Sequence, residues 1–319
     1  MNYLRLDEYG TLLNVSKIVM GTDLLPDLLE DNELFSLLDF YVDAGGNCID
    51  TARVYCNGAS EAAVGRWFER NSNRNKTVLS TKGCHPPRDN MPQSRLSKAE
   101  MESDLNLSLR ALKTDYIDIY WLHRDDPTIP VEQIVEDINT FVKAGKIRLI
   151  GCSNWHTNRI QEANAYAEKA GLQGFSASQI QWSLAYTTED IYDDYGIAIM
   201  DDESYKWYLK NNMPVFAYGS QAQGFFAKVA KSGVDQLSAK TRKRFESPDN
   251  LVRLKKAQEL ALTYGVSLSA AVLSYITCNK LPAAPIVGCK NIGQLKESMQ
   301  AADVSIGTDA AESLFCLDR

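Results

Sequence analysis

The chain has 319 residues, with 34 Lys and Arg against 41 Asp and Glu, a net charge of −7. That balance argues against nucleic acid or an anionic membrane as a main partner, and no apolar run approaches the roughly 20 residues of a membrane span. Composition is 45% hydrophobic and 24% charged, enough for a large buried core in one α/β barrel or two smaller domains. The opening stretch MNYLRLDEYG has neither the basic region nor the apolar run of a secretion signal, which points to the cytoplasm.

Short apolar runs, each followed by a turn and an amphipathic segment, predict eight strands. They begin near Lys17 (KIVMG), Gly46 (GNCID), Thr77 (TVLSTK), Asp115 (DYIDIYWLH), Ile147 (IRLIG), Ser176 (SASQIQ), Pro214 (PVFAY) and Ala284 (APIVG). The spacing suits one strand–helix unit each, and an additional helical segment is expected at about 220–282. A capping box, Ser97 to Glu100, opens a helix with Met101, Leu105, Leu109 and Leu112 on one face. Pro130 opens another, striped by Val131, Ile134, Val135, Ile138, Phe141 and Val142 and stopped at Gly145. Asp249 precedes a third, with Leu251, Leu254, Leu260, Ala261 and Tyr264 ahead of Gly265. No linker divides the chain, so residues 1–319 are read as one domain.

The seven cysteines are scattered without a CxxC pair and read as reduced thiols. His85, His123 and His156 are the only histidines, none at zinc-ligand spacing, so no metal site is expected.

An open nucleotide-binding sheet should carry GxGxxG or GxxxxGK[ST], and neither occurs. Polar residues stand instead at successive strand ends: Asp50, Lys82, His123, Asn154, Gln179 and Tyr218. In a closed (β/α)8 barrel such positions converge on one mouth, so a single-domain TIM barrel with its active site at the C-terminal mouth is the predicted fold.

Asp50, Tyr55, Lys82 and His123 make chemical sense together. A free phenol has a pKa near ~10, and an adjacent ammonium stabilises its phenolate. A buried lysine needs a carboxylate to stay charged, which Asp50 offers. A histidine beside the phenol can orient a carbonyl oxygen. Taken singly, each has an ordinary structural explanation: a turn Asp, a salt-bridged Lys, a core Tyr, a satisfied His. Their placement at consecutive strand ends is what favours catalysis.

The segments IDTARVY (49–55), STKG (80–83), YWLHRDDP (120–127), GCSNW (151–155), SQIQWSL (178–184) and AYGSQAQG (217–224) resemble the signatures of the aldo-keto reductase superfamily, in order along nearly the whole chain. The resemblance implies a nicotinamide cofactor bound in extended form without a Rossmann domain. It implies Tyr55 as acid–base residue, Lys82 and Asp50 as its tuning partners, and His123 as the group orienting the substrate carbonyl. Ser153, Asn154 and Gln179 match the positions that hold the nicotinamide carboxamide, with Asp50 beside them. Tyr218 matches the aromatic stacked on the nicotinamide, and Gly21 and Thr22 match the turn beside its ribose.

At the adenosine end, Gly288, Lys290 and Glu297 match expected contacts, while Gln294 stands where many members have Arg and Ser298 where they have Asn. NADP(H) is therefore expected over NAD(H) by a modest margin, with NAD(H) still usable. Trp155, beside Tyr55 and His123, is expected to contact substrate, and Trp121, Trp182, Phe225 and Phe226 are further candidates for an apolar pocket. The expected activity is NADPH-dependent reduction of an aldehyde or ketone, a small-molecule carbonyl partner. The alternative is a nicotinamide-binding regulatory subunit with vestigial reductase activity. A sugar-phosphate aldolase or isomerase fits less well, because Gly219–Gly224 lacks the basic residues of a phosphate loop. No segment marks an oligomeric interface.

Overall fold

A computed structural model describes residues 1–23, 25–194 and 196–316. The strands are β1 (Tyr3–Glu8), β2 (Thr11–Ser16), β3 (Val19–Gly21), β4 (Cys48–Asp50), β5 (Val78–Gly83), β6 (Ile117–Leu122), β7 (Ile147–Ser153), β8 (Phe175–Gln181), β9 (Val215–Tyr218) and β10 (Ala283–Val287). Strands β3 to β10 close into a parallel barrel in the order β10-β3-β4-β5-β6-β7-β8-β9. All eight strands expected from the sequence are present, and they form the expected (β/α)8 fold.

β1 and β2 are an addition that the sequence reading missed. They form an antiparallel hairpin turning at Tyr9 and Gly10, whose φ values of 50° and 73° suit a two-residue hairpin turn. Leu4, Leu6, Leu13 and Val15 alternate onto one face and pack on Val19, Cys48, Val78 and Ile119 inside the barrel. The hairpin thus seals the floor with apolar surface and leaves the opposite end for polar chemistry. Inside, the Trp121 indole lies so close to β7 that a Cβ on Gly151 would fall 2.1 Å from its ring. Only glycine admits that ring there.

The helices follow their sequence signals, with one correction. Ser97 caps the helix Lys98–Leu112, its hydroxyl donating to Glu100 Oε2 at 2.7 Å. Pro130 precedes the helix Val131–Lys143. The helix Pro248–Tyr264 is capped by Ser247, not begun after Asp249: the Ser247 hydroxyl accepts from Asn250 N–H, and Asp249 lies in the first turn. Between β9 and β10 the chain forms the helices Phe225–Ser232, Ala239–Phe245, Pro248–Tyr264 and Leu268–Thr277. Among the described residues no single helix is long and apolar enough to cross a membrane.

Candidate active site

Strand order divides the barrel mouth into two arcs. β4, β5 and β6 carry Asp50, Lys82 and, one residue past its strand, His123. β7, β9, β10 and β3 carry Ser153, Tyr218, Gly288 and Gly21 at or just beyond their ends, and β8 carries Gln179 two residues before its end. A compact acid–base group therefore faces a longer polar arc.

In the first arc Lys82 is buried, and its ammonium donates to Asp50 Oδ2 at 2.5 Å and to the Thr51 carbonyl at 2.9 Å. The other Asp50 oxygen accepts from the Ser80 hydroxyl at 2.7 Å and from Gln179 Nε2 at 3.0 Å. Trp121 Nε1–H donates to Ser80 at 2.5 Å, tying this network to the barrel floor. Three donors, Lys82, Ser80 and Gln179, converge on this one buried carboxylate. Lys82 Nζ lies 4.6 Å from the centre of the Tyr55 ring, and the His123 ring meets Tyr55 edge to face with centroids 6.0 Å apart. The structure brings the four residues together.

Electrostatics refine the expected tuning. Burial alone would lower the Lys82 ammonium, but the Asp50 carboxylate and then the Tyr55 phenol raise it above its ordinary value. Burial raises the Tyr55 phenol, and the opposing pull of Lys82 does not overcome it. The net shift is upward, not the depression expected from the ammonium alone, so the resting phenol holds its proton. His123 is driven well below the ordinary imidazole range by burial first, then by His85, Lys82, Arg124 and Arg88. It is neutral at pH 7, and its buried Nδ1 has no hydrogen-bond partner among the described residues.

In the second arc, Thr22 Oγ1 and N–H both donate to the Asp50 carbonyl, and Gly21 packs against Ile286. Asn154, in the left-handed region at φ 60°, is fully engaged. Its Oδ1 accepts from the Tyr218 hydroxyl at 2.6 Å and from Ala198 N–H at 3.2 Å. Its Nδ2 donates to Ser153 Oγ and the His123 carbonyl. Ser153 and Gln179 keep free capacity, one hydroxyl proton and one amide oxygen. Together they offer one donor and one acceptor to the mouth.

Past β10, Gly288 and Lys290 are exposed, and a Cβ on Gly288 would meet only Asp23 Oδ1, at 3.7 Å. Gln294 Oε1 accepts from Lys290 N–H at 2.9 Å, beside the N-cap Asn291 of the helix Ile292–Met299. Of the expected adenosine contacts, Ser298 is turned inward while Glu297 stays exposed. Ser298 is buried, giving its proton to the Gln294 carbonyl and accepting from Gln221. The Glu297 carboxylate accepts from Ser269 at 3.4 Å.

Trp155 corrects another expectation. It is buried in the outer core, edge-on to Phe175 with the Arg159 guanidinium over its ring, because Asn154 turns the chain back at the end of β7 and sends the next side chain outward. Trp121, Phe225 and Phe226 are likewise sealed in packed cores, and Trp182 packs on Tyr205 and Tyr275. Among the described residues, the His123 and Tyr55 rings meet each other, and His123 meets His85, not any of these aromatics.

Several residues at this site were not anticipated. His85 meets His123 with ring centroids 4.7 Å apart, and its Nδ1–H donates to the Pro86 carbonyl at 2.6 Å. Arg124, next to His123, grips both Asp194 oxygens at 2.9 Å. Tyr192 donates to Gln181 Oε1 at 2.7 Å, so the segment after β8 is strapped to the rim. The run His-Arg-Asp at 123–125 was visible in sequence, but its partners lie tens of residues away.

A closed barrel whose mouth joins a lysine–carboxylate–tyrosine group to a histidine defines a class of carbonyl oxidoreductases. The sequence profile described as the Aldo/keto reductase family matches residues 17–314, and the chain belongs to that family. It is 28% identical to the uncharacterized oxidoreductase YrpG of Bacillus subtilis (strain 168), over 98% of this chain and 95% of that protein. It is 27% identical to an aryl-alcohol dehydrogenase [NADP(+)] of Phanerodontia chrysosporium, over 96% of this chain and 83% of that one. An aldo-keto reductase from Klebsiella pneumoniae, solved in complex with NADPH, superposes with a TM-score of 0.73 at 23% identity. That match covers 100% of this chain and 98% of the other, and it shows the shared fold.

Proposed function

We propose that the protein reduces an aldehyde or ketone to an alcohol with NADPH, Tyr55 supplying the proton. The observation that carries this reading is the contact of Lys82 with both Asp50 and the Tyr55 ring, beside a neutral His123. The names of relatives agree, among them an aryl-alcohol dehydrogenase [NADP(+)] and a norsolorinic acid reductase of Aspergillus flavus.

A reduced nicotinamide, when bound, supplies hydride to a carbonyl carbon. Gly21, Thr22, Ser153, Gln179 and Tyr218 would hold the nicotinamide end, with Ser153 and Gln179 taking its carboxamide. Asn154 would act indirectly, by fixing the Tyr218 hydroxyl. Neutral His123 orients the substrate oxygen by hydrogen bonding. Tyr55 Oη gives its proton to that oxygen as negative charge develops there. Lys82 stabilises the phenolate that remains, and Asp50 keeps Lys82 charged in a buried position. The test is loss of reduced-nicotinamide absorbance with a panel of aromatic and aliphatic aldehydes and ketones. Cofactor binding without turnover across the panel would favour a regulatory subunit.

Preference for NADPH would rest on Lys290 and the first amides of the helix Ile292–Met299, which favour an anion. Gln294 adds an amide in place of a guanidinium, and Gly288 leaves room for close approach. A single exposed lysine supports a preference of about 5- to 30-fold, weakening with salt. Lys290→Ala is expected to remove most of it, read as the ratio of NADPH and NADH dissociation constants from tryptophan quenching. The same ratio in both proteins would show that the phosphate is read elsewhere.

A further inference from the structure

Tyr55 opens a turn whose next three residues, Cys56, Asn57 and Gly58, have φ values of 45°, 52° and 92°. Two consecutive non-glycine residues in the left-handed region cost about 1 kcal/mol or more each, so the surrounding structure must hold the turn in place. Arg53 does so from behind. Its Nη1 donates to Glu61 Oε2 at 2.6 Å and its Nη2 to the Asn57 carbonyl at 3.2 Å. The guanidinium rests on Gly58, where a Cβ would fall 1.4 Å from Nη2.

Glu61 is wholly buried in the first turn of the helix Ala59–Asn71. Its second oxygen accepts from the Thr81 hydroxyl at 2.7 Å, one residue before Lys82. Arg53 N–H also donates to the Lys82 carbonyl at 2.9 Å. One carboxylate therefore joins the turn that carries Tyr55 to the strand that carries Lys82. A buried ion pair is a weak source of net stability, since desolvation offsets most of its attraction. What this pair does supply is a second tie, besides the Lys82 side chain itself, that fixes the separation between the turn and the strand.

We propose that Glu61 and Arg53 are positioning residues that hold the Tyr55 phenol against the Lys82 ammonium and so set the rate of proton transfer. This rests on the reading of Tyr55 as the acid. Neither residue touches substrate in this scheme, so the effect should fall on turnover and not on binding.

Glu61→Gln keeps the volume and the Thr81 contact but loses the charge that draws Arg53. Turnover should fall about 10-fold, with KM and the NADPH dissociation constant within about 2-fold of wild type. In a Tyr55→Phe background the same substitution should have no further effect, because no phenol remains to be placed. Arg53→Met, at a side chain 22% exposed, should reproduce the turnover loss and decides the matter if the Gln variant does not fold. Arg53→Lys keeps the charge and should recover part of the rate. Wild-type turnover in both Glu61→Gln and Arg53→Met overturns the inference, as does an equal further loss in the Tyr55→Phe background. If Tyr55→Phe alone keeps full turnover, the reading of Tyr55 fails first, whatever Glu61 does.

Discussion

Tyr55→Phe is expected to lower carbonyl reduction by at least about 100-fold, the usual worth of a positioned acid. The ring stays, so its edge contact with His123 and its packing beside Lys82 persist, and only the oxygen is lost. Nicotinamide affinity should be unchanged, because the second arc of the mouth is untouched. The pH behaviour follows from the direction of the shift. Burial holds the phenol above its ordinary value of 10.0, so the donor form persists through neutral and mildly alkaline pH. Reduction should show no alkaline loss from Tyr55 below that value. Alcohol oxidation needs the phenolate instead, and its rate should climb with pH toward it. Single-turnover measurements separate this step from product release. Near-normal single-turnover rates in Tyr55→Phe would assign the proton to another group.

The reductase reading owes its legibility to barrel geometry. Parallel strands buried on both faces show as uninterrupted apolar runs, and the polar residue that ends each run faces the mouth. Asp50, Lys82 and His123 could therefore be placed from sequence, whereas Tyr55, beyond its strand, drew its role from the resemblance of IDTARVY to the family signature. The floor hairpin carried its own signal, alternating leucines around Tyr9-Gly10, which the apolar run after Lys17 overshadowed. Other features have no trace along the chain. That Asn154 is saturated depends on Tyr218, and Trp155 points outward because Asn154 adopts a left-handed conformation. The upward shift at Tyr55 reflects first how completely the ring is desolvated, a property of the packed site, with Asp50 adding to it against the pull of Lys82. The Glu61 link spans 20 residues to Thr81, and a glutamate in a first helical turn reads from sequence as a solvated cap.

Lys82→Met should abolish most reduction, by about 100- to 1000-fold, the range seen when one preorganised donor to a developing anion is removed. The methionine stem fills the space but leaves the phenolate that forms on Tyr55 without a counter-charge in a dry site. Residual activity should respond differently to pH, since the phenol would rise further with burial unopposed. The substitution has a second consequence. Asp50 is buried and would keep Ser80 and Gln179 as donors but lose its one cationic partner among the described residues. Stranding one member of a buried pair typically costs about 3–5 kcal/mol, so Lys82→Met should melt well below wild type. Removing the second charge should reverse that loss: Asp50→Asn combined with Lys82→Met is expected to regain most of the thermal stability and none of the activity. Thermal melts and single-turnover rates on the two single variants and the double variant test both statements. A double variant that recovers activity along with stability would show that Lys82 serves the fold and leaves Tyr55 to act alone.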